Sequence, residues 1–535
     1  MRPVRAFLIA LLFALPGVSA DWSSFQGSAA NLGVAESMDL PESTWWSVPT
    51  GPNIHAAPVV SGERVVLVDA SGGVRAYQAN TGSMLWSATM PAGVLSTPAV
   101  ESGSLFVAST DGTLNKFSLR TGAVLATASV GATQAPLTVH EGKLYVGNEA
   151  GEVRAYDIQS TEIRLDWTFR VSTVHTSYSV SGGGETGKPV TTTCEGPHQA
   201  DAIRGAPAVH AGRVFVTSLN DHVYALDEGG KPDGTTDVLW AYRMGDNIWA
   251  APVIDAANGR VIVVSDDETV ASFRADVGRA PDHCNAPTAN HPKWRTDLET
   301  KVRASPALAD GQLFVGTKAG TVVAMDAERG TVNWITTLDG AADASPVVAG
   351  SLVVAPSAEG IRFLNASDGA YFQDLRLAGP ILSGIAVSDG RVHAASFEGD
   401  ARVWGPALPT LPDYVLSGLE VTRTGISVLL RNGGDGTAPA TQVVVTVDGS
   451  DLPPFEVPAL GPGQAFPIEA SLALKPGVHE VEAWVDRGGV VQEHNELDNN
   501  VRTQVDLDQA PRDIPLPWWA LPAALLVAYC FRRQP

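Results

Sequence analysis

Asp266-Asp267-Glu268 is the one dense acidic turn in the repeated part of the chain, and adjacent carboxyl groups are the oxygen ligands a calcium ion takes. The same residues on a solvated turn between strands hold nothing. A looser acidic run, Asp227, Asp233 and Asp237 within DEGGKPDGTTD, has the wrong spacing for a calcium loop. Thiol chemistry is restricted to Cys194, Cys284 and Cys530, none adjacent to another. Cys194 and Cys284 could pair as a disulfide in an oxidising compartment. Together with His198, His283 and His291 they lack the ligand spacing of a structural zinc site. The chain has no nucleophile elbow, P-loop, two-histidine metalloprotease motif or haem-attachment motif, and His479-Glu480 lacks its second histidine. No catalytic, cofactor-binding or metal-binding residue is therefore expected.

The elements that position these residues are repeats. Small-Pro-apolar units are centred on Pro58, Pro98, Pro136, Pro207, Pro252, Pro306 and Pro346, with a degenerate eighth at Gly384. Their separations are 40, 38, 71, 45, 54, 40 and 38 residues, a period near that of a β-propeller blade. Each unit reads as four short strands, and a proline at the start of the innermost strand breaks no ladder bond. Trp86, Trp240, Trp294 and Trp334 each precede the next unit's proline by 12 residues, and so does Trp46 relative to Pro58. Trp46 thus belongs to an outer strand without a unit of its own, while the eighth unit stops after three strands at Trp404. The N-terminal strand TWWSV is expected to complete blade eight and remove the free edge.

In such a ring the loops leading into the inner strands form the mouth. Three residues before each marker stand His55, Leu95, Thr133, Arg204, Trp249, Arg303, Asp343 and Ile381. With Asp246 and Asn247 beside Trp249, the candidate binding residues are His55, Arg204, Asp246, Asn247, Trp249, Arg303 and Asp343. Polar residues at a propeller mouth are also ordinary surface.

The start DWSSFQGSAANLG, the eight units and the AMDAERGTVNW pattern resemble the quinoprotein-like (PQQ-like) repeat family over residues 21–405. That family includes quinone-dependent alcohol dehydrogenases and the non-enzymatic propeller of the bacterial outer-membrane barrel-assembly machinery. For the dehydrogenases the resemblance implies calcium on acidic and amide ligands, an aspartate base, a tryptophan platform and two adjacent cysteines over the quinone. The cysteine pair cannot form here. After a Pro-rich linker, 406–412, residues 413–508 alternate apolar and polar between Gly and Pro turns, as an immunoglobulin-like sandwich does. The runs RNGGDGTAPATQVVVTVDG, PALGPGQ, KPGVHEVEAWVD and QEHNELDNN resemble the bacterial cell-adhesion-related domain, CARDB.

Arg2 and Arg5, the apolar run 6–15 and Val18-Ser19-Ala20 read as an export signal over 1–20. At the other end, 514–531 is apolar and precedes Arg532-Arg533, so 509–535 is expected to supply a hydrophobic helix that anchors the chain in a membrane. A net charge of −22 and no basic patch exclude nucleic acid as a partner. The expected class is all-β: an eight-bladed propeller closed by its N-terminal strand, a sandwich and the C-terminal helix. The expected function is an exported, envelope-anchored binding or scaffold protein whose partner is an envelope protein or a surface polymer. A quinone- and calcium-dependent dehydrogenase, or a polymer binder using Trp249 as a stacking platform, is the alternative.

Overall fold

The computed structural model describes residues 21–173, 175–180, 191–198, 200–278, 288–382, 384–407, 411–487, 491, 493 and 499–507. The chain divides into two compact units, Met1–Leu408 and Pro409–Pro535.

The first unit is built of eight antiparallel sheets. In blade 1 the strands Val59–Ser61, Arg64–Val68, Gly73–Gln78 and Met84–Thr89 lie in that order from inside to outside. Blades 2 to 7 repeat the order, ending on Val124–Ser129, Arg164–Arg170, Val238–Arg243, Trp294–Asp297, Val332–Thr337 and Tyr371–Leu375. The two middle strands of blade 1 are buried almost throughout, whereas its outer strand alternates. Blade 8 takes three strands from the C-terminal end of the unit and its fourth, Ser43–Pro49, from the N-terminal end. That strand runs antiparallel to Asp400–Gly405, from Ser43 opposite Gly405 to Pro49 opposite Asp400. The innermost strand of blade 8 also lies against that of blade 1, closing the circle.

A recurring cross-strand pair joins most blades to the next. In blades 1, 3, 4, 5 and 6 a small residue faces a tryptophan: Ala76 and Trp86, Ala155 and Trp167, Ala225 and Trp240, Ser272 and Trp294, Ala324 and Trp334. In blades 1, 3, 5 and 6 the indole then donates to a turn carbonyl of the following blade, Trp86 Nε1 to that of Leu119 at 2.9 Å and Trp294 Nε1 to that of Ala327 at 3.1 Å, whereas Trp240 Nε1 of blade 4 is buried without a hydrogen-bond partner. Trp46 bridges blade 8 to blade 1 in the same way, 2.8 Å from the Ala79 carbonyl. Beneath its ring lies Gly82, left-handed at φ 70°, where a Cβ would stand 2.8 Å from the indole. Blade 2 reverses the pair: Lys116 faces Ala126, and Lys116 Nζ donates to the blade 3 carbonyls of Ile158 at 3.1 Å and Ser160 at 2.8 Å.

Residues 22–35 travel along the inner edges of the blades. Trp22 exchanges backbone hydrogen bonds with Val60 of blade 1 at 2.8 and 2.9 Å. The carbonyls of Ser23, Ala29, Ala30, Leu32 and Gly33 then accept from Val100, Val209, Ile254, Leu308 and Val348, the innermost strands of blades 2, 4, 5, 6 and 7. Val34–Ala35 ends the passage as a short parallel strand on blade 7. Asn31, 1% exposed, donates to the carbonyls of Ala206 at 3.2 Å and Pro252 at 3.1 Å, and Phe25 packs on Ala206 and Ala251.

The second unit holds two sheets. Tyr414–Thr422, Gly425–Asn432 and Ala465–Ser471 form one; Ser450–Asp451, Thr441–Val447, Val478–Val485 and Asn500–Asp506 form the other, with Phe455–Val457 beside Thr441–Val447. Their alternate apolar residues, among them Leu416, Val428 and Leu430 from the first and Val443, Val481 and Val485 from the second, share one core.

The expected C-terminal hydrophobic helix is corrected. Among the described residues no helix is long and apolar enough to cross a membrane, and the helical segments are two 3-10 turns, Phe25–Gly27 and Val171–Thr173. The stretch 514–531 lies outside the described residues, as does the export signal 1–20. The span was expected from the hydropathy of that stretch and the arginines that follow it, a signal of composition that does not by itself specify a helix. The transmembrane segment, the membrane partner and the anchored location drawn from that stretch are withdrawn with it.

Candidate functional site

Four consecutive blades bring the mouth residues into one line of contacts. Arg204 precedes the inner strand of blade 4, Trp249 that of blade 5 and Arg303 that of blade 6. The Cζ atoms of Arg204 and Arg303 lie 5.1 and 4.9 Å from the Trp249 ring centre, within cation–π range. Each guanidinium is also held by a carboxylate on a neighbouring turn. Arg204 donates through Nε and Nη2 to the two oxygens of Glu149 at 3.2 and 2.9 Å. Arg303 donates through Nη2 to Asp266 at 2.8 Å and through Nε at 3.1 Å. The hydrogen bond to Asp266 raises the Arg303 pKa above its ordinary value.

The acidic turn is spent in these pairs. The Asp266 side chain is 2% exposed, held by Arg303 with Lys301 Nζ at 3.8 Å. Asp267 accepts from Arg295 at 2.8 Å and from the Thr269 hydroxyl. Asp246 has Lys301 at 3.5 Å, and Asp343 is paired with Lys318 at 2.8 Å. Asn247 contributes its backbone, the carbonyl accepting from Asp266 N at 2.9 Å. His55 stands apart on blade 1, edge-on to Phe397 with ring centres 5.3 Å apart, and partial burial lowers its pKa. The structure thus gathers Arg204, Asp246, Asn247, Trp249, Arg303 and the neighbouring Asp343, but not His55.

Sequence reading missed Glu149, Arg295, Lys301 and Lys318, which supply most of these pairs. Glu149 is 55 residues from Arg204 and Asp266 is 37 from Arg303. No local pattern links such partners; only the blade period places the turn of one blade beside the inner strand of the next.

The groups a quinone enzyme would need do not fit together here. A calcium ion at Asp266 would have to displace a bidentate guanidinium, and the Trp249 ring already carries two cations. Among the described residues no group of three or more His, Cys, Asp or Glu is arranged to hold a metal ion. His198, weighed above for zinc, lies tilted against His222 at 4.2 Å between ring centres, its Nδ1 2.9 Å from the Tyr224 hydroxyl. Cys194 lies in a hairpin strand opposite Ser177, and Cys284 and its pairing fall outside the described residues.

A family model described as outer membrane protein assembly factor BamB matches residues 33–190, 179–281 and 286–372. The chain belongs to that family. A second model, CARDB, matches 416–504. Outer membrane protein assembly factor BamB of Yersinia pestis is 24% identical over 312 residues, 56% of this chain; the match spans 66% of that relative's own length. Among solved structures, BamB from Moraxella catarrhalis aligns with a TM-score of 0.52 and 17% identity over 68% of this chain and 99% of its own. Quinohemoprotein alcohol dehydrogenase from Comamonas testosteroni aligns with a TM-score of 0.53 and 14% identity over 76% and 83%. Identities this low carry the fold alone.

Proposed function

We propose that this chain is an exported, non-enzymatic interaction scaffold of the cell envelope, whose propeller presents a rigid surface to a partner protein. The carrying observation is the closed run of pairs Glu149, Arg204, Trp249, Arg303 and Asp266, which leaves neither a carboxylate cluster for calcium nor a bare indole for a quinone or a sugar ring. The N-terminal segment supports the same reading, because it fastens six blades into one body and so favours rigidity over motion. The relatives named as outer membrane assembly factors make an envelope protein the class of partner favoured here. The dehydrogenase reading keeps the support of a shared fold.

The test titrates the full chain with pyrroloquinoline quinone and calcium, following absorbance, melting temperature and dye-linked alcohol oxidation. The scaffold reading expects no bound chromophore, no thermal shift and no turnover; a saturable quinone spectrum with turnover would replace it by the dehydrogenase.

A further inference from the structure

A second charged cleft opens at the end of blade 7, beside the loop that leaves blade 6, and neither Trp249 nor its two arginines line it. It is an open space of about 230 Å³ whose charged lining is Asp339, Glu359, Arg362, Asp374 and Arg376. Arg362 is fully engaged there. Its Nη1 donates to the Thr337 carbonyl at 2.9 Å, its Nη2 to Asp339 at 2.7 Å, and its Nε and Nη2 to the two oxygens of Asp374 at 2.9 and 3.0 Å. The Tyr371 ring backs the guanidinium, 5.3 Å from its Cζ. Asp374 is thereby satisfied, whereas Asp339 meets Arg362 through one oxygen and keeps 57% of its side chain exposed. Glu359 and Arg376 remain. Both are exposed, and among the described residues neither side chain has an ion-pair or hydrogen-bond partner. Ile361 faces Leu375 across the strand pair, so Glu359 and Arg376 stand just beyond its two ends and flank the cleft. Gly340 lets the blade 6 loop close on the same turn: a Cβ there would lie 3.1 Å from Ala358 Cβ and 3.8 Å from Glu359 Cγ. Asp339 and Glu359 are thus like charges on adjacent turns, which repel unless a cation lies between them.

We propose that this cleft binds a small amino-carboxylate zwitterion, an α-amino acid with a short side chain. Its ammonium group lies between Glu359 and Asp339, and its carboxylate takes the forked guanidinium of Arg376. The balance of the lining favours a zwitterion over either ion alone. Arg362 cancels Asp374, which leaves one cation, Arg376, facing two anions, Asp339 and Glu359. A simple anion would meet the two carboxylates, and a simple amine would meet the guanidinium. Among the described residues no group of three or more His, Cys, Asp or Glu is arranged to hold a metal ion, and an ammonium group needs only acceptors, not a cage of ligands. The space is smaller than the roughly 300 Å³ at which pockets for drug-sized ligands begin, which limits the side chain to a short one. This site is separate from the scaffold reading, and the two can fail independently.

The test titrates the full chain with L-alanine, followed by calorimetry and by saturation-transfer NMR on the alanine methyl group. Acetate and methylammonium serve as the two half-ligands. One saturable site is expected for L-alanine, about tenfold or more tighter than for either half-ligand, because each charged hydrogen-bonded contact is worth at least a factor of that order. Arg376→Gln and Glu359→Gln, both at exposed positions, are each expected to weaken alanine binding by about tenfold or more with the melting temperature unchanged. Arg376→Lys keeps the charge without the fork and should recover part of the loss. Absence of saturable binding, acetate binding as tightly as alanine, or Gln variants that bind like wild type would overturn the proposal. A quinone-induced thermal shift in the same samples would instead sink the scaffold reading, whatever the cleft does.

Discussion

Lys116→Ala should loosen the seam between blades 2 and 3, and a designed exchange should tighten it again. Lys116 is 7% exposed and spans the seam with two hydrogen bonds. A bond from a charged donor contributes about 1.5–3 kcal/mol, and the exposed Ser160 regains water when released, so the substitution should cost about 2–3 kcal/mol. Other blades show what could replace it: alanine where Lys116 stands, tryptophan where Ala126 stands, and glycine under the indole. Blade 3 has Thr161 at that glycine position, and at the equivalent Gly330 a Cβ would lie 2.4 Å from the Trp294 ring. Lys116→Ala with Ala126→Trp should therefore stay destabilised, because the indole meets the Thr161 side chain. Adding Thr161→Gly should return stability to within about 1 kcal/mol of wild type, as the restored indole donates a hydrogen bond of that order. Urea unfolding followed by tryptophan fluorescence reads this out, since Trp484 is the sole tryptophan of the described second unit. A Lys116→Ala protein as stable as wild type, or a triple variant no better than the double, would refute the latch.

Three further outcomes follow from the same contacts. His393 is 2% exposed, and burial together with Arg391 lowers its pKa to about 3, so the folded state resists protonation. Stability from this group is intact above the unfolded value of 6.5 and should fall by up to about 1.4 kcal/mol per pH unit as pH drops from there toward 3; urea midpoints of His393→Gln should lack that component. Arg303→Ala leaves the buried Asp266 carboxylate with Lys301 alone and should cost about 2–3 kcal/mol, with Arg303→Lys recovering part of it, as melting curves would register. Asn31→Ala removes two buried hydrogen bonds across blades 4 and 5 and should cost about 1–2 kcal/mol by urea unfolding.

The circle was legible because its signals are local and periodic. The 12-residue step from tryptophan to proline assigned Trp46 to a strand without a blade, and Ser43–Pro49 pairs with Asp400–Gly405. The path of residues 22–35 was not legible, since it binds through carbonyls of Ser, Ala, Leu and Gly that carry no side-chain signature. A usable hint was the run SSFQGSAANLG, small and polar enough to lie flat across many strand edges. The Lys116 exchange was visible as an alanine at a tryptophan position, yet its meaning needed the carbonyls of the next blade. At the mouth, residue types were readable and their pairing was not: the carboxylates of the acidic turn were visible, but not the arginines and lysine that hold them. The C-terminal stretch misled because an apolar run before two arginines is a signal of composition, not of a helix.

The most direct measurement of the central claim is a crystal structure of the mature chain soaked with millimolar pyrroloquinoline quinone and calcium. The account predicts Arg303 still on Asp266, both guanidinium groups over Trp249 and residues 22–35 still bonded to the inner strands. A quinone stacked on Trp249 beside a calcium ion at Asp266 would contradict it.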